Sequence, residues 1–571
     1  MYKIASLLFL VSFYFDVFTQ EKVTISLQVS DCHINEALPF ANVVSIKNQT
    51  GTACNFEGNF SFTTTVGDTF QITFIGYEKK VIAVNNYLTI NQICLTPKLV
   101  NIEPITIGAK SNFLYNLVAD CRRNRFTEKQ FAKTYFLLKS TINKKQVELV
   151  EAYYNGTYQD HNVQELELKN GRIYLSKVDN NSYVSMGTST GINLHKTFDF
   201  NLYFPGSPLE WNQQRIRKKF ELNFAKKFKE EDKTVYVIDF EEREKEGKFH
   251  GRLWIDSTNQ VLMKIQLLSE FGANSPFIAI GNADKISKIS FDITKNFEFI
   301  SGINTLKSID FNYNLTYLRK NKQEVKVETK AVLIAYDYTN TFVLPSFDKS
   351  YTLNDYQGIN LAPYSSSYWE KNSEFKLMAK ESEKRLFIQN NTTNLIDSFS
   401  YNSTTKKISF SKPTYRKWSF NRMQLNDIKD RSSSRKHMNV HLRYHLDVKI
   451  FMNINQIGNS KEVQLATILD PFTSYSNLDS SPNSVAFVNM YFDLVQIKKE
   501  ELRSKINKNQ STKTIQKLYA ETNSEIARIS KVFFTETAGG TNRRGMSEWN
   551  EYIYKHLKID NLQLFQVEFK Y

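Results

Sequence analysis

The feature that most constrains this chain is a period of two. Val23, Ile25, Leu27 and Val29 alternate with polar residues, and Phe70, Ile72 and Phe74 share a face. Between them Pro39 opens an apolar run from Phe40 to Ile46, Lys47 to Gly51 and Glu57-Gly58-Asn59 read as turns, and Lys79 to Val84 ends the series. Alternation of this kind puts one face of a strand in a core and the other in water. Roughly seven such strands in about eighty residues predict a β-sandwich. Aromatics at 14% and hydrophobic residues at 41% exclude a disordered chain, and 20 Gly with 11 Pro exclude a collagen-like one. At 571 residues the chain needs more than one core.

The first twenty residues read as an address. Lys3 is a short basic region and Ile4 to Phe18 are apolar except for Asp16, too short for a membrane span and suited to a secretory signal. No Cys follows at once, the nearest being Cys32, which argues against a lipid anchor. The chain is therefore expected in the periplasm, at the outer membrane or at the cell surface, with no transmembrane helix in its mature form. Four cysteines, Cys32, Cys54, Cys94 and Cys121, contain no C-x-x-C pair, which excludes a zinc ribbon or a redox motif. The expectation is at most one disulfide among the first three, with free buried thiols as the competing reading.

Charge is placed unevenly. The net charge is +15, residues 21–109 carry −2, and residues 405–449 carry twelve Lys and Arg against three Asp, a net +9. Lys406, Lys407, Lys412, Arg416, Lys417, Arg422, Arg431, Arg435 and Lys436, interleaved with Phe410, Tyr415, Trp418 and Phe420, form the candidate polyanion-binding surface. In an exported protein the polyanion would be an anionic glycolipid or acidic glycan rather than nucleic acid, and an ordinary solvated basic face is the plainer reading.

The order Val29-x-Asp31, Leu38-Pro39-Phe40-Ala41-Asn42-Val43, Gly51-Thr52, Glu57-Gly58-Asn59-Phe60 and Ile72-x-Phe74-Ile75-Gly76-Tyr77-Glu78 resembles the carboxypeptidase-like regulatory domain at the N-termini of many exported Bacteroidota proteins. The resemblance, specific for residues 23–95, implies an immunoglobulin-like sandwich that serves as an accessory module and not as a peptidase. Gly58 and Gly76 suit turns with positive φ, and Tyr77 is expected to cover the sandwich end with its hydroxyl on backbone. Cys32-His33-Ile34-Asn35-Glu36 spells H-x-x-E, but the next histidine is His161, outside this domain, so the segment reads as a loop and not as a metal site.

Beyond it, Ser111 is expected to cap a helix through Leu114, Leu117 and Val118 to Cys121, and Tyr135–Lys139 and Val147–Tyr154 begin a long strand-rich tract. This order resembles the region after the regulatory domain in a Bacteroidota envelope family. Paired strands at Thr234–Phe240, Gly251–Asp256 and Val261–Leu267 are similar to hairpins of periplasmic lipoprotein carriers, whose curved sheet holds acyl chains; any antiparallel meander with one wet face would look the same. Residues 494–533 predict one or two amphipathic helices, Ser547 is expected to cap a further helix through Leu557, and Phe565 to Tyr571 predict a buried terminal strand, although its terminal aromatic also resembles the closing strand of an outer-membrane barrel.

Three patterns imitate chemistry. His437, His441 and His445 lie in a strict alternation, where residues four apart on a strand are about 13 Å from each other, too far for one metal ion. Gly187-Thr188-Ser189-Thr190-Gly191 matches a nucleophile elbow, but the segment after it, Ile192 to Leu202, reads as unhelical. Gly540 to Ser547 has phosphate-loop spacing with Met546 in place of the lysine. The expected fold class is mainly β with an α+β C-terminal part: a signal peptide at 1–20, the sandwich at 21–105, a helix with an antiparallel β-rich domain at 106–345, and a basic α+β domain at 346–571. The expected function is non-enzymatic binding or scaffolding in the envelope, through a protein, a peptide or an anionic glycolipid or glycan, with peripheral outer-membrane association as one form of it. No catalytic, cofactor or metal residue is nominated. Acyl-chain carriage by a curved sheet, or hydrolysis at a site with no linear motif, are the alternatives.

Overall fold

The computed structural model describes residues 22–568 except 48–49, 86–90, 99–106, 179–180, 183–186, 231, 245–246, 271–273, 278, 280–282, 301, 321–322, 348–354, 394–398, 403–406, 411–414, 429–443, 459 and 472. The N-terminal address and the terminal aromatic of the last segment lie outside these residues. Two compact units form, one from residues 1–100 with 375–380 and the other from 101–374 with 381–571.

The first unit is mainly β. Its strands are β1 (Lys22–Asp31), β2 (Asn42–Ser45), β3 (Gly51–Ala53), β4 (Asn59–Thr65), β5 (Thr69–Thr73), β6 (Lys80–Ala83) and β7 (Gln92–Leu95). They make two sheets, in the orders β4-β1-β7 and β3-β2-β5-β6. The alternating residues Ile25, Leu27, Val29, Phe60, Phe70 and Ile72 meet in one core, as their period requires. Gly58 has φ +74°, and a Cβ there would stand 2.6 Å from the Val29 carbonyl oxygen, so only glycine allows this turn to close on β1. Tyr77 covers one end, but its hydroxyl donates to the Asp31 carboxylate at 2.7 Å rather than to backbone. That bond and the His33 amide hold the Asp31 carboxyl below its usual range. The same Asp31 side chain accepts from the His33 and Ile34 amides, which makes His33-Ile34-Asn35-Glu36 the ordinary loop its sequence predicted. Cys32 and Cys94 are joined as a disulfide, and Cys54 and Cys121 are buried free thiols.

The second unit opens with α1 (Ile107–Arg123), so Ser111 is inside the helix and not its cap. A ten-stranded antiparallel sheet follows: β8 (Gln130–Ile142), β9 (Lys145–Gln159), β10 (Asn162–Leu175), then, after the short pair β11 (Lys177–Val178) and β12 (Asn181–Ser182), helices α2 (Thr188–Leu194) and α3 (Gln213–Lys219), strands β13 (Phe220–Glu230), β14 (Lys233–Glu242), β15 (His250–Asp256), β16 (Val261–Ser269), β17 (Lys285–Ile300), β18 (Ile303–Leu318) and β19 (Glu324–Asp337). The order β10-β9-β8-β19-β18-β17-β16-β15-β14-β13 is a meander interrupted once, where β19 returns beside β8. One face is a continuous core in which Leu114, Leu117 and Val118 of α1 pack with sheet residues such as Ile238, Phe291, Phe311 and Leu333. At the β8–β10 end the other face is also covered. Trp369 stacks on Tyr153 at 5.6 Å, and the Arg172 guanidinium lies over Trp369 while bonding Glu151. Trp369 belongs to α5 (Ser366–Lys371), between α4 (Asp355–Leu361) and α6 (Glu381–Thr393).

The rest of the unit is α+β. Strands β20 (Phe399–Asn402) and β21 (Lys407–Phe410) pair, β22 (Arg416–Lys417) joins β24 (Val448–Ile457) and β25 (Ser460–Leu469), and β23 (Tyr444–His445) pairs with β26 (Tyr475–Ser476). Helix α7 (Pro482–Lys505) is buried on nearly every side through Phe487, Met490, Leu494 and Ile497, which explains why its start carries no amphipathic signal. Helix α8 (Thr512–Thr537) packs against it through Ile515, Ile526 and Phe533. Helix α9 (Arg543–Leu557) begins earlier than predicted, because Asn542 accepts from the Arg544 and Gly545 amides and so caps it in place of Ser547. Among the described residues the predicted terminal strand is not formed. Asp560 caps α10 (Asn561–Leu564), the chain turns back through a Val567 amide to Leu562 carbonyl bond, and Phe565 and Val567 pack on the helical core.

Candidate functional site

The interior face of the large sheet is closed by its own chain. Residues 195–211 lie across it, with Phe198 and Phe204 fully buried. Phe204 meets Phe291 at 5.2 Å and Phe311 at 5.9 Å, and Phe277 meets Tyr313 at 4.5 Å. Where β17 would continue Ile289, Phe291 and Ile293 with an apolar residue it places Lys295, fully buried. Its Nζ donates to Thr197 Oγ1 at 2.8 Å and to Asn162 Oδ1 and the His195 carbonyl at 3.4 Å. Burial, then the neighbouring Lys196, push its pKa well down. His161 accepts at Nε2 from Asn304 at 2.9 Å and packs edge-on against Phe198 and Phe297; burial, then Lys295 and Arg125, bring it to about 3, so it is neutral. These groups join the 195–211 segment to the sheet. The sequence concealed the joint because its members come from the β9–β10 turn, β10, the loop, β17 and β18.

Of the nine basic residues nominated between 406 and 436, the structure describes the side chains of three. Arg422 is not on the surface. Its guanidinium bonds Asp493 at 2.6 Å, the Asn489 carbonyl and Asn561, with Asp493 fully buried in α7. Arg416 pairs with Asp427 at 2.6 Å, and Lys417 donates to the Ala362 carbonyl at 3.3 Å. Lys407 lies on β21, its side chain undescribed, and Lys406, Lys412, Arg431, Arg435 and Lys436 lie outside the described residues, as do His437 and His441. His445 stacks on Tyr475 across the β23–β26 pair.

The two catalytic lookalikes resolve differently. A helix does leave Gly187, correcting the unhelical reading, and Ser189 stands in its first turn. Its hydroxyl bonds the Asp355 carboxylate of α4 and not an imidazole, which ties the first turn of α2 to α4. Gly539 and Gly540, at φ +70° and +94°, turn the chain from α8 into α9, and a Cβ on Gly540 would meet the Asn483 carbonyl at 2.9 Å.

A cleft of about 470 Å³ opens among Pro363, Tyr364, Lys461, Gln464, Arg503 and Lys508. Lys461 donates to the Gln510 carbonyl at 3.0 Å and Gln464 to the Pro363 carbonyl at 3.1 Å, which fixes its walls. No linear motif could announce it, since three distant segments build it. Among the described residues no group of three or more His, Cys, Asp or Glu is placed to hold a metal ion, and no helix is long and apolar enough to cross a membrane.

Residues 25–107 match the CarboxypepD_reg-like domain, the accessory sandwich implied by the N-terminal residues. No curated protein matches the chain. Among solved structures, a LolA superfamily protein from Nitrosomonas europaea is similar at 10% identity, over 39% of this chain and 96% of that one, with a TM-score of 0.15, too slight a likeness to assign the fold of the second unit.

Proposed function

We propose that this protein works outside the cytoplasm as a non-enzymatic binding or scaffolding protein of the cell envelope, with its CarboxypepD_reg-like sandwich as an accessory module. The observation that carries this reading is the Cys32–Cys94 bond, because disulfides persist in oxidising compartments and are rare in the cytosol. The interior supports it too. Lys295, His161 through Nε2, and Ser189 bond groups that hold segments together, and Phe204 and Phe277 occupy the face on which an acyl chain would have to lie. The ligand proposed for the 405–449 tract is an anionic glycolipid or acidic glycan, met by Lys406, Lys407, Lys412, Arg431, Arg435 and Lys436, since Arg416, Lys417 and Arg422 have partners within the protein. The test is retention on immobilised anionic glycolipid at physiological salt. A variant with those six residues reversed in charge is expected to bind more weakly than the wild type, and equal retention would end the polyanion proposal.

A further inference from the structure

Between the buried rings of Phe198 and Phe204 the chain makes a short excursion whose apolar residues face out. Phe200 is 65% exposed, Leu202 72% and Tyr203 37%. The excursion is held in shape, since Asn201 donates to the Leu194 carbonyl and accepts from the Tyr203 amide. A polar loop would have served to connect the two anchors, so apolar side chains as exposed as Phe200 and Leu202 call for a partner.

Basic residues surround them. Arg122 donates to the Phe198 carbonyl, and the Arg125 guanidinium lies 5.9 Å from the Phe198 ring. On the other flank Phe200 packs edge-on against Trp211 at 6.2 Å, with Arg215 and Lys219 at 5.4 and 5.3 Å from the indole. Arg215 and Lys219 belong to α3, whose sequence Gln213–Lys219 contains four cations and no acid. Arg125 is paired with Asp160, and Asp199 is the carboxylate within the excursion itself. The balance remains basic.

We infer that Phe200, Leu202 and Tyr203 insert into the interface of an anionic lipid bilayer, with Trp211 packed beneath Phe200 and Arg122, Arg215 and Lys219 against the lipid phosphates. Size decides between a bilayer and a protein partner. A specific protein interface buries about 800 Å² on each side, more than three loop side chains supply. Interfacial anchoring, by contrast, needs a few inserted apolar groups and adjacent cations, each contributing modestly. This inference goes beyond the binding reading above and concerns a different surface from the 405–449 tract, so either can fail alone.

The test is co-sedimentation of the full chain with phosphatidylglycerol/phosphatidylcholine vesicles and with pure phosphatidylcholine. The wild type is expected on the mixed vesicles and largely absent from the neutral ones, with retention falling as salt rises. Phe200→Ser with Leu202→Ser, at positions exposed enough to leave the fold intact by circular dichroism, is expected to lower partitioning about tenfold or more, and Arg215→Glu with Lys219→Glu to do the same. Brominated lipid should quench a tryptophan signal that is missing in Trp211→Phe. Charge reversal in the 405–449 tract should leave all of this unchanged. A wild type that does not sediment with anionic vesicles, or a Phe200/Leu202 variant that sediments as well as the wild type, overturns the inference, as would a loss seen only with the 405–449 variant.

Discussion

Lys169 Nζ lies 2.7 Å from Asn453 Oδ1 and so ties the large sheet to the hairpin of β24 and β25. The tie exists because of a register shift. Leu168 pairs with Tyr154 and Asn170 with Tyr153, which leaves Lys169 as the extra residue of a bulge and aims its side chain away from the ladder. The same ammonium reaches the Val343 and Ile454 carbonyls at 2.6 and 2.7 Å. Lys169→Met would bury three acceptors without their donor, and is expected to lower stability by about 2–4 kcal/mol in denaturant unfolding. A loss below about half a kilocalorie would mean that the amine carries no such tie.

Arg422 and Asp493 form the second buried link. Asp493→Ala leaves the guanidinium buried and unpaired, at a cost of about 3–5 kcal/mol, and Arg422→Met strands the carboxylate with a similar loss. Replacing both, Arg422→Met with Asp493→Leu, is expected to recover much of the deficit. The cycle is read by unfolding midpoint, and additive single losses would contradict a coupled pair.

Glu210 supplies a pH dependence. It accepts from the Ser207 amide at 2.9 Å, yet burial and then Asp199 raise it to about 8 against the opposing pull of that amide. Its folded pKa lies above the unfolded value, so the folded state holds a proton that the unfolded state has lost. The associated stability is therefore complete below the ordinary glutamate range and lost as pH rises through about 8, at up to roughly 1.4 kcal/mol per pH unit. Glu210→Gln is expected to flatten thermal stability between about pH 5 and 8. An unchanged slope would assign the dependence to another group.

The thiols should divide cleanly. Burial pushes both Cys54 and Cys121 up, so neither is expected to react with a thiol alkylating reagent in the folded protein, and both should react after unfolding without reductant. Cys32 and Cys94 should appear only after reduction, and Cys32→Ser with Cys94→Ser should cost the sandwich about 2–4 kcal/mol. Labelling of four thiols without reductant would contradict the pairing.

Much of the architecture was legible because period two is local. Strands β1, β2, β5 and β6 of the sandwich and the hairpins from β14 to β16 stand where alternation such as Ile25-x-Leu27-x-Val29 and Leu253-x-Ile255 places them, whereas β7 (Gln92–Leu95) follows the Lys79 to Val84 segment that was expected to end the series. Helix α7 was hidden at its start because burial on all sides removes the stripe that reveals a helix, and the end of the chain misled because Phe565-x-Val567 alternates while Asp560 caps a helix just before it. The position of Tyr77 at the sandwich end is legible, but its partner, Asp31, stands 46 residues away, and no spacing rule reports such a contact. The basic tract shows its charge in sequence, not its pairing. Arg422 looks like its neighbours until Asp493 of α7 is seen beside it.

Whether this chain leaves the cytoplasm is tested most directly by intact-mass analysis of the protein recovered from fractionated cells. The prediction is a chain in the envelope fraction that lacks about twenty N-terminal residues and is two hydrogens lighter than its reduced form, with no added lipid. A chain that begins at Met1, is found with the cytosolic proteins and carries four reduced thiols would contradict it.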